Sequence, residues 1–303
     1  MKLRIEQSGF HYYDRNLGLH FLVDEVSPSL NNYSIAPRTF SIAITNDCNA
    51  NCSFCHVPKG KVYLSKDFII EFCKKIDELG TLDIAIGGGE PILHKDIVEI
   101  CRSIWINTKL GISITTNGQL LTDYIINNLS GFISFLRISV DSINANNYKK
   151  IRNFDFEKLI TNLLKIKGKI PFGINMVING HTIYELDEML EFVKFIGAEE
   201  LLLLPMINNG EIALGSLELK KLENWINKNY ENFPIRILEQ ARKKIKIPVL
   251  FDNDSYYSDY LYLSASKLLQ ENSYEISNAI KIDIENIESV LLQWRDKGML
   301  KTF

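Results

Sequence analysis

Three cysteines fall within eight residues, in the run Cys48-Asn49-Ala50-Asn51-Cys52-Ser53-Phe54-Cys55, directly after an apolar stretch of strand length. Three thiolates on one short loop can converge on a single metal centre. A cubane iron–sulfur cluster takes four ligands, so three cysteines leave one iron open to an outside partner. Zinc with His56 as fourth ligand is the alternative. Adjacent Cys55 and His56 would then have to turn onto one ion, and structural zinc usually pairs ligands from two separated loops. Spacing favours the cluster. Cys73 and Cys101 lie inside helical patterns, where cysteine usually serves as a small buried hydrophobe, and are not expected as ligands. An odd total of five, with three packed together, is a poor disulfide framework. It points to a reduced, cytoplasmic setting.

The elements that must position this loop are legible from periodicity. Up to about Ser34 the chain reads as short strands, Leu3–Glu6, Phe10–Asp14 and His20–Val26, broken by Gly9 and Asn16–Gly18. From Thr39 it alternates. Strand-length apolar runs are Phe40–Thr45, Leu82–Ile86, Gly111–Thr116, Ile133–Val140, Pro171–Ile178 and Leu201–Met206. Helical patterns separate them at Lys66–Leu79, Lys95–Ile106, Leu121–Leu129, Phe156–Ile166 and Thr182–Ile196, and Leu217–Asn229 follows the last run. Strands this apolar are buried on both faces, as in a parallel sheet covered by helices. The fold expected is α/β, a partial (β/α)6 barrel over residues 39–235, with an N-terminal β segment at 1–38 and a C-terminal extension at 236–303. Chemistry in such folds collects at the C-terminal ends of the strands. In the tail, Pro248–Phe251 reads as a strand before the polar Asp252–Asp254. Ala265–Gln270, Tyr274–Ile280 and Ile284–Lys297, closed by Gly298, read as helices in a small winged-helix-like module.

The Cys-x3-Cys-x2-Cys loop, with aromatic Phe54 before its last cysteine, resembles the signature of the radical SAM superfamily. Further stretches match in order. Gly88-Gly89-Glu90-Pro91 is similar to the motif that meets the methionyl amine of S-adenosylmethionine (SAM). Glycines allow a close backbone approach, and a carboxylate pairs with an ammonium by charge-assisted hydrogen bonds. Thr116-Asn117-Gly118 resembles a recurrent strand-end element of the family. Arg137-Ile138-Ser139-Val140-Asp141 resembles the segment whose Ser139 and Asp141 would meet the SAM ribose. Arg152 stands where relatives place an arginine for the methionyl carboxylate, to which a planar fork of donors is suited. Asn175 and Leu204-Pro205-Met206 are similar to positions flanking ribose and adenine. The resemblance, over about residues 39 to 210, implies one 4Fe–4S cluster, SAM as cofactor, and reductive cleavage of SAM to a 5′-deoxyadenosyl radical that takes a hydrogen atom from a substrate. It also implies a flavodoxin- or ferredoxin-type electron donor. Without the resemblance, the Gly87–Gly89 run reads only as a tight turn, Ser139 and Asp141 as polar facing on a strand, Arg152 as a solvated helix residue, and His94 as a helix-start residue.

Composition sets the bounds. The 303 residues are 46% hydrophobic and 23% charged with a net charge of −3, an ordinary globular balance without a global basic field. No apolar run approaches the roughly 18 residues of a membrane span. Charged residues within Met1–Phe10 speak against a secretory signal. No cysteine follows Cys101, so a second four-cysteine cluster of the kind found in many peptide-modifying relatives and molybdenum-cofactor cyclases is excluded. From Leu261 to Phe303 acids and bases nearly balance, which argues against a nucleic-acid-reading module. The tail resembles, loosely, the helical part of a peptide-recognition domain, or it caps the barrel. Substrate class stays open between a peptide and a small metabolite or nucleotide, with a non-catalytic iron–sulfur sensor as the other reading. Tyr13, Tyr63 and Cys73 are candidate hydrogen donors to a product radical.

Overall fold

The structure is a computed structural model and describes residues 1–29, 32–208, 211–238, 241, 244–248, 250–252, 260–273 and 278–296. Its N-terminal strands β1 (Lys2–Glu6), β2 (Gly9–Asp14) and β3 (Leu19–Val23) form a small antiparallel sheet. The alternating part follows as β4 (Thr39–Thr45), α1 (Lys66–Glu78), β5 (Asp83–Gly88), α2 (Ile97–Asn107), β6 (Gly111–Thr116), α3 (Asp123–Leu129) and β7 (Phe135–Ser139). Two short helices, α4 (Ala145–Arg152) and α5 (Phe156–Ile166), lead to β8 (Phe172–Ile178), α6 (Leu186–Ile196) and β9 (Leu201–Pro205). A two-stranded hairpin, β10 (Ile207–Asn208) and β11 (Glu211–Ile212), precedes α7 (Ser216–Asn229). The remaining elements are β12 (Ile235–Leu238), β13 (Leu250–Asp252), β14 (Tyr260–Leu263), β15 (Leu268–Gln270), β16 (Ile280–Lys281) and α8 (Ile287–Asp296).

The main sheet runs β13-β12-β9-β8-β7-β6-β5-β4-β14-β15-β16, parallel from β13 to β14. The six expected strands are its centre, and no closed barrel forms among the described residues. Each central strand points one set of β-branched or leucine side chains outward: Ile84 and Ile86, Ile112 and Ile114, Leu136 and Ile138 are all fully buried beneath the helices. The helices answer with one apolar face each, as in Phe156, Leu159, Leu163 and Ile166 of α5, near the 3.6-residue period. Side-chain caps start them. Ser65 accepts from Phe68 N, Thr122 from Ile125 N, and Asp155 from Glu157 N. Cys73 and Cys101 are fully buried in this layer, on α1 and α2.

The tail differs from the sequence expectation. Ala265–Gln270 is a turn and strand β15, paired antiparallel with β14 and β16, rather than a helix. Alternating Tyr260-Leu261-Tyr262-Leu263 carries the physical reason. Leu261 and Leu263 bury outward while Tyr262 faces inward, and strand β14 so formed supplies the partner that β15 needs. Of the expected helix Tyr274–Ile280, residues 274–277 lie outside the described residues and Ile280 begins β16. The third helix is α8, and the expected end at Lys297 and Gly298 lies outside the described residues. The strand expected at Pro248–Phe251 is β13, with residues 253 and 254 of the polar stretch outside the described set. No helix among the described residues is long and apolar enough to cross a membrane.

The N-terminal sheet packs under the strand ends opposite the cysteine loop, through buried charge. Lys2 Nζ donates to the Asp77 carboxylate at 2.6 Å, and Arg4 Nη1 to Gly80 O at 2.9 Å. Arg4 Nε meets Glu6 at 2.7 Å, and Arg38 pairs with the same carboxylate. Burial opposes ionisation of Glu6, but hydrogen bonds from Arg38 and His11 and the Arg4 charge outweigh it and hold the carboxyl well below its usual range. Burial, then His11 and Arg38, pushes neighbouring His20 down to about 4. Gly111, at the start of β6, has no room for a side chain, since a Cβ there would stand 2.0 Å from the Tyr13 hydroxyl.

Glu6→Ala removes the buried carboxylate that Arg4 and Arg38 share and is expected to cost about 3–5 kcal/mol in urea unfolding. Because the folded pKa is depressed, this stability is full above the ordinary value of 4.5 and is lost as pH falls below it. A wild-type acid limb no steeper than the variant's would refute the assignment.

Candidate active site

The cysteine loop begins where β4 ends, and it is held by backbone. Gly89 N donates to Thr45 O at 2.7 Å and Glu90 N to Asp47 O at 2.8 Å. A Cβ on Gly88 would stand 2.2 Å from Thr45 O, and one on Gly89 2.1 Å from Asp47 O. Gly88 also has φ +107°, a conformation that favours glycine. These two glycines therefore serve the approach of one loop to another, and Gly87 is the one with open space before it. The far side of the loop returns to β4 through Leu64 N to Ile44 O at 2.9 Å.

Cys48, Cys52 and Cys55 line one cavity of about 360 Å³, together with Phe54, His56 and Lys59. Ala50 N donates to Cys48 Sγ at 3.4 Å. Burial pushes the Cys48 and Cys52 thiols up; the Lys59 charge opposes this at both, and Arg152 opposes it at Cys52. The thiols share the cavity without closing on a point, for among the described residues no three His, Cys, Asp or Glu side chains stand close enough to hold one metal ion. The same holds for the alternative set that includes His56.

Glu90 is 1% exposed and lines this cavity. Its carboxylate accepts from Thr116 Oγ1 at 2.6 Å, Asn117 N at 2.8 Å and Ile92 N at 3.1 Å. Burial raises its pKa against the pull of these donors and of the Arg152 charge. Asn117 Nδ2 donates to Asn49 Oδ1 at 2.8 Å, which ties the end of β6 to the cysteine loop.

Arg152, last residue of α4, reaches the cavity from beside β7. Its Nε donates to Asp141 Oδ2 at 2.6 Å, and Asp141 Oδ1 accepts from Val177 N at 3.0 Å. Burial works against the Arg152 charge, but Asp141 and the nearby Cys52 outweigh it and hold the guanidinium firmly charged. No hydrogen bond occupies its terminal nitrogens among the described residues. Asp141, fully buried, stands behind the wall of the cavity and grips Arg152. Ser139 lines the wall. Asn175, its register partner on β8, keeps a buried Oδ1 with no protein partner.

Parallel strands contribute the wall one residue at a time. Ser41, Gly87, Thr115 and Ser139 from β4 to β7 make a small, polar half; Val177, Leu204, Leu238 and Tyr262 from β8, β9, β12 and β14 make a larger, mainly apolar half. Pro205 and Met206 join that half. Lys59, Leu238 and Tyr262 escaped the sequence reading, although strand alternation in 260–263 was the available signal for Tyr262. Burial, and then the neighbouring Cys55, pushes the Tyr262 phenol up to about 12. Other candidates are elsewhere. Tyr13 lies under the barrel, Cys73 lies in the helix layer, and Tyr63 donates to Asp47 Oδ2 at 2.5 Å on the outer side of the loop. His94 brackets the chain outside the cavity, with Nε2 2.9 Å from Leu64 O and Nδ1 accepting from Asp96 N.

Residues 42–193 match the sequence profile of the Radical SAM superfamily. A probable GTP 3′,8-cyclase of Methanococcus vannielii is 30% identical over 216 residues, 68% of this chain and 72% of the relative. Among solved structures, Streptococcus suis SuiB bound to precursor peptide SuiA superposes with a TM-score of 0.76 at 14% identity, over 95% of this chain and 86% of that one. The structure of anSMEcpe with bound AdoMet gives 0.65 at 15% identity, over 87% and 82%. The chain is an α/β enzyme, and its cavity lies at the C-terminal ends of the parallel strands. The chain belongs to the radical SAM superfamily, whose cofactors are a 4Fe–4S cluster and SAM.

Asp141→Ala and Arg152→Ala should each cost about 3–5 kcal/mol in urea unfolding, because each strands a buried charge. The double variant should cost well under the sum. Strict additivity would mean that the pair is not coupled.

Proposed function

We propose that Cys48, Cys52 and Cys55 ligate the cluster, that Glu90 receives the methionyl ammonium of SAM, and that Arg152 receives its carboxylate. One observation carries the reading: a three-thiol loop, a buried carboxylate and a buried guanidinium with terminal nitrogens open face a single cavity. The donor chemistry fits. Soft thiolates suit iron–sulfur clusters, a guanidinium fork suits a carboxylate, and the hydroxyl of Ser139, which lines the cavity where its register partner Asn175 does not, suits a ribose edge. When bound, the cluster and SAM supply a reductive cleavage that releases a 5′-deoxyadenosyl radical able to take hydrogen from an unactivated carbon.

The protein's own part is binding, orientation and exclusion of water. Thr116, Asn117 N and Ile92 N fix the Glu90 carboxylate, so little reorganisation accompanies pairing with a cation. Asp141 acts through Arg152, aiming it while its second oxygen anchors to β8. Gly88 and Gly89 keep the cysteine loop against Glu90, and Asn117 braces the loop through Asn49. Phe54 lines the same cavity. A flavodoxin- or ferredoxin-type donor in the cytoplasm would supply the electron.

For the substrate, the reading favoured is a peptide. The shared fold with SuiB extends over 95% of the chain, tail included, and that structure is of a complex with a precursor peptide. The mainly apolar half-wall suits a side chain entering opposite SAM. A nucleotide is the second reading, carried by the 30% identity to GTP 3′,8-cyclases. The absence of cysteine after Cys101 removes the thiolates for a second cluster.

Anaerobic reconstitution with iron and sulfide, then dithionite and SAM, should yield 5′-deoxyadenosine, and Cys52→Ala should abolish both cluster and product while the apo fold survives. Normal turnover in that variant would overturn the ligand assignment. Glu90→Gln should weaken SAM binding at least tenfold by equilibrium dialysis, about 1.4 kcal/mol. Since burial raises the Glu90 pKa, wild-type affinity should fall as pH drops through that raised value, and the Gln variant should lose this dependence. GTP stimulating 5′-deoxyadenosine release where short peptides encoded beside the gene do not would select the nucleotide reading.

A further inference from the structure

The N-terminal sheet inverts the usual arrangement of a half-covered sheet. Alternate residues of its strands face the barrel, and these are polar: Lys2, Arg4 and Glu6 of β1, His11 of β2 and His20 of β3. The opposite face is apolar. Register places Leu3 of β1 beside Tyr12 of β2 and Tyr12 beside Phe21 of β3, with Phe10 beside Val23 in another row. Leu19 completes the face, and Asp14 beside it at the margin is its one charged side chain. An antiparallel sheet with one face in water ordinarily keeps its apolar side chains on the covered face. Here Leu3, Leu19, Phe21 and Val23 are 45%, 45%, 55% and 42% exposed. At roughly 150–200 Å² for a whole side chain, these four leave about 300 Å² of apolar surface open, within the range where a patch on a monomer marks an interaction site.

We propose that this face is a dimer interface: the sheet stacks on the same sheet of a second copy of the chain, related by a twofold axis. Composition selects the occupant. Interfaces between different, separable proteins are about as polar as the rest of a surface, whereas homodimer interfaces are more apolar, with charge depleted from the core. With one carboxylate at its margin and no lysine or arginine, the face offers nothing to steer a charged partner or to hold an anionic membrane surface. An apolar surface of this kind calls for constant cover, and a second copy is present wherever the chain is. Antiparallel sheets stack face to face with their side chains interdigitated. Two such patches bury about 600 Å² of apolar surface as a core, and a polar rim of similar extent brings the total past the ~1,000 Å² of a specific interface. The sheet closes the strand ends opposite the cysteine loop, so stacking keeps each copy's cavity away from the interface.

Sedimentation velocity of the full chain across the micromolar range is the test. Wild type should sediment as a dimer of the 34.8 kDa chain. Phe21→Lys and Leu3→Lys, both at exposed positions, should keep the far-UV circular dichroism of wild type and each raise the dimer dissociation constant at least tenfold. Should a lysine variant lose that spectrum, Phe21→Ser or Leu3→Ser takes its place with the same expected direction. Leu3 on β1 is separated from the β3 edge by β2, which distinguishes stacked faces from joined edges. If the substitution at Phe21 dissociates the dimer and that at Leu3 does not, the copies pair edge to edge through β3, and the proposal is overturned. A dimer that withstands both substitutions is built elsewhere and overturns it too. A monomeric wild type overturns it outright, whether or not the face then captures an extended peptide or a vesicle of neutral lipid.

Discussion

Two loops from neighbouring strands touch backbone to backbone, and the site depends on that contact. Thr45 and Asp47 offer carbonyls to Gly89 N and Glu90 N at 2.7 and 2.8 Å, an approach that leaves no room for a Cβ at Gly88 or Gly89. With side chains at Gly88 and Gly89 the cysteine loop would be pushed off, and Glu90 would lose its place beside the thiols. The carboxylate is then locked from three directions by Thr116, Asn117 and Ile92. One short backbone contact thus converts two sequence-distant motifs into one wall.

Electrostatics is divided along the barrel axis. At the end bearing the cysteine loop, the wall holds charged groups that face the cavity and are aimed by partners, with Arg152 gripped by Asp141. At the opposite end, Lys2 pairs with Asp77, and Arg4 and Arg38 share Glu6, where the N-terminal sheet closes the strand ends. Inside, Arg137 on β7 reaches Glu200 at 2.5 Å, so the interior charge below Ser139 is also paired. Charge that is matched within the fold stabilises it; charge left open toward the cavity is available to a ligand. The distinction explains why so many ionisable side chains are buried in a chain of ordinary composition.

The tail illustrates how tertiary context overrides a local pattern. Ala265–Gln270 carries a helical spacing of apolar residues, yet its backbone finds a ready hydrogen-bonding edge in β14, which is itself recruited by β4. An exposed sheet edge satisfies more backbone groups than one isolated turn of helix could. Recruiting β14 brings Tyr262 into the cavity, so the same event that altered the secondary structure added a residue to the site. Asp141 shows the converse. Its position on the strand end was evident, but its role depends on which way the side chain turns, and the Arg152 guanidinium and Val177 N turned it away from the wall.

The six central strands with their intervening helices, the parallel sheet and the place of the cysteine loop and Glu90 at strand ends were determined by the sequence alone, because periodicity and residue spacing are local and each signal is complete within a few dozen residues. Tertiary structure decided what depends on contacts between distant segments. It chose which glycines serve loop packing and which has open space before it, joined Asp141 to Arg152, left the Asn175 amide oxygen without a protein partner, and carried Tyr262 from the tail into the cavity. Strand order and side-chain direction set those relations, and neither is written in the spacing of residues along one stretch of chain.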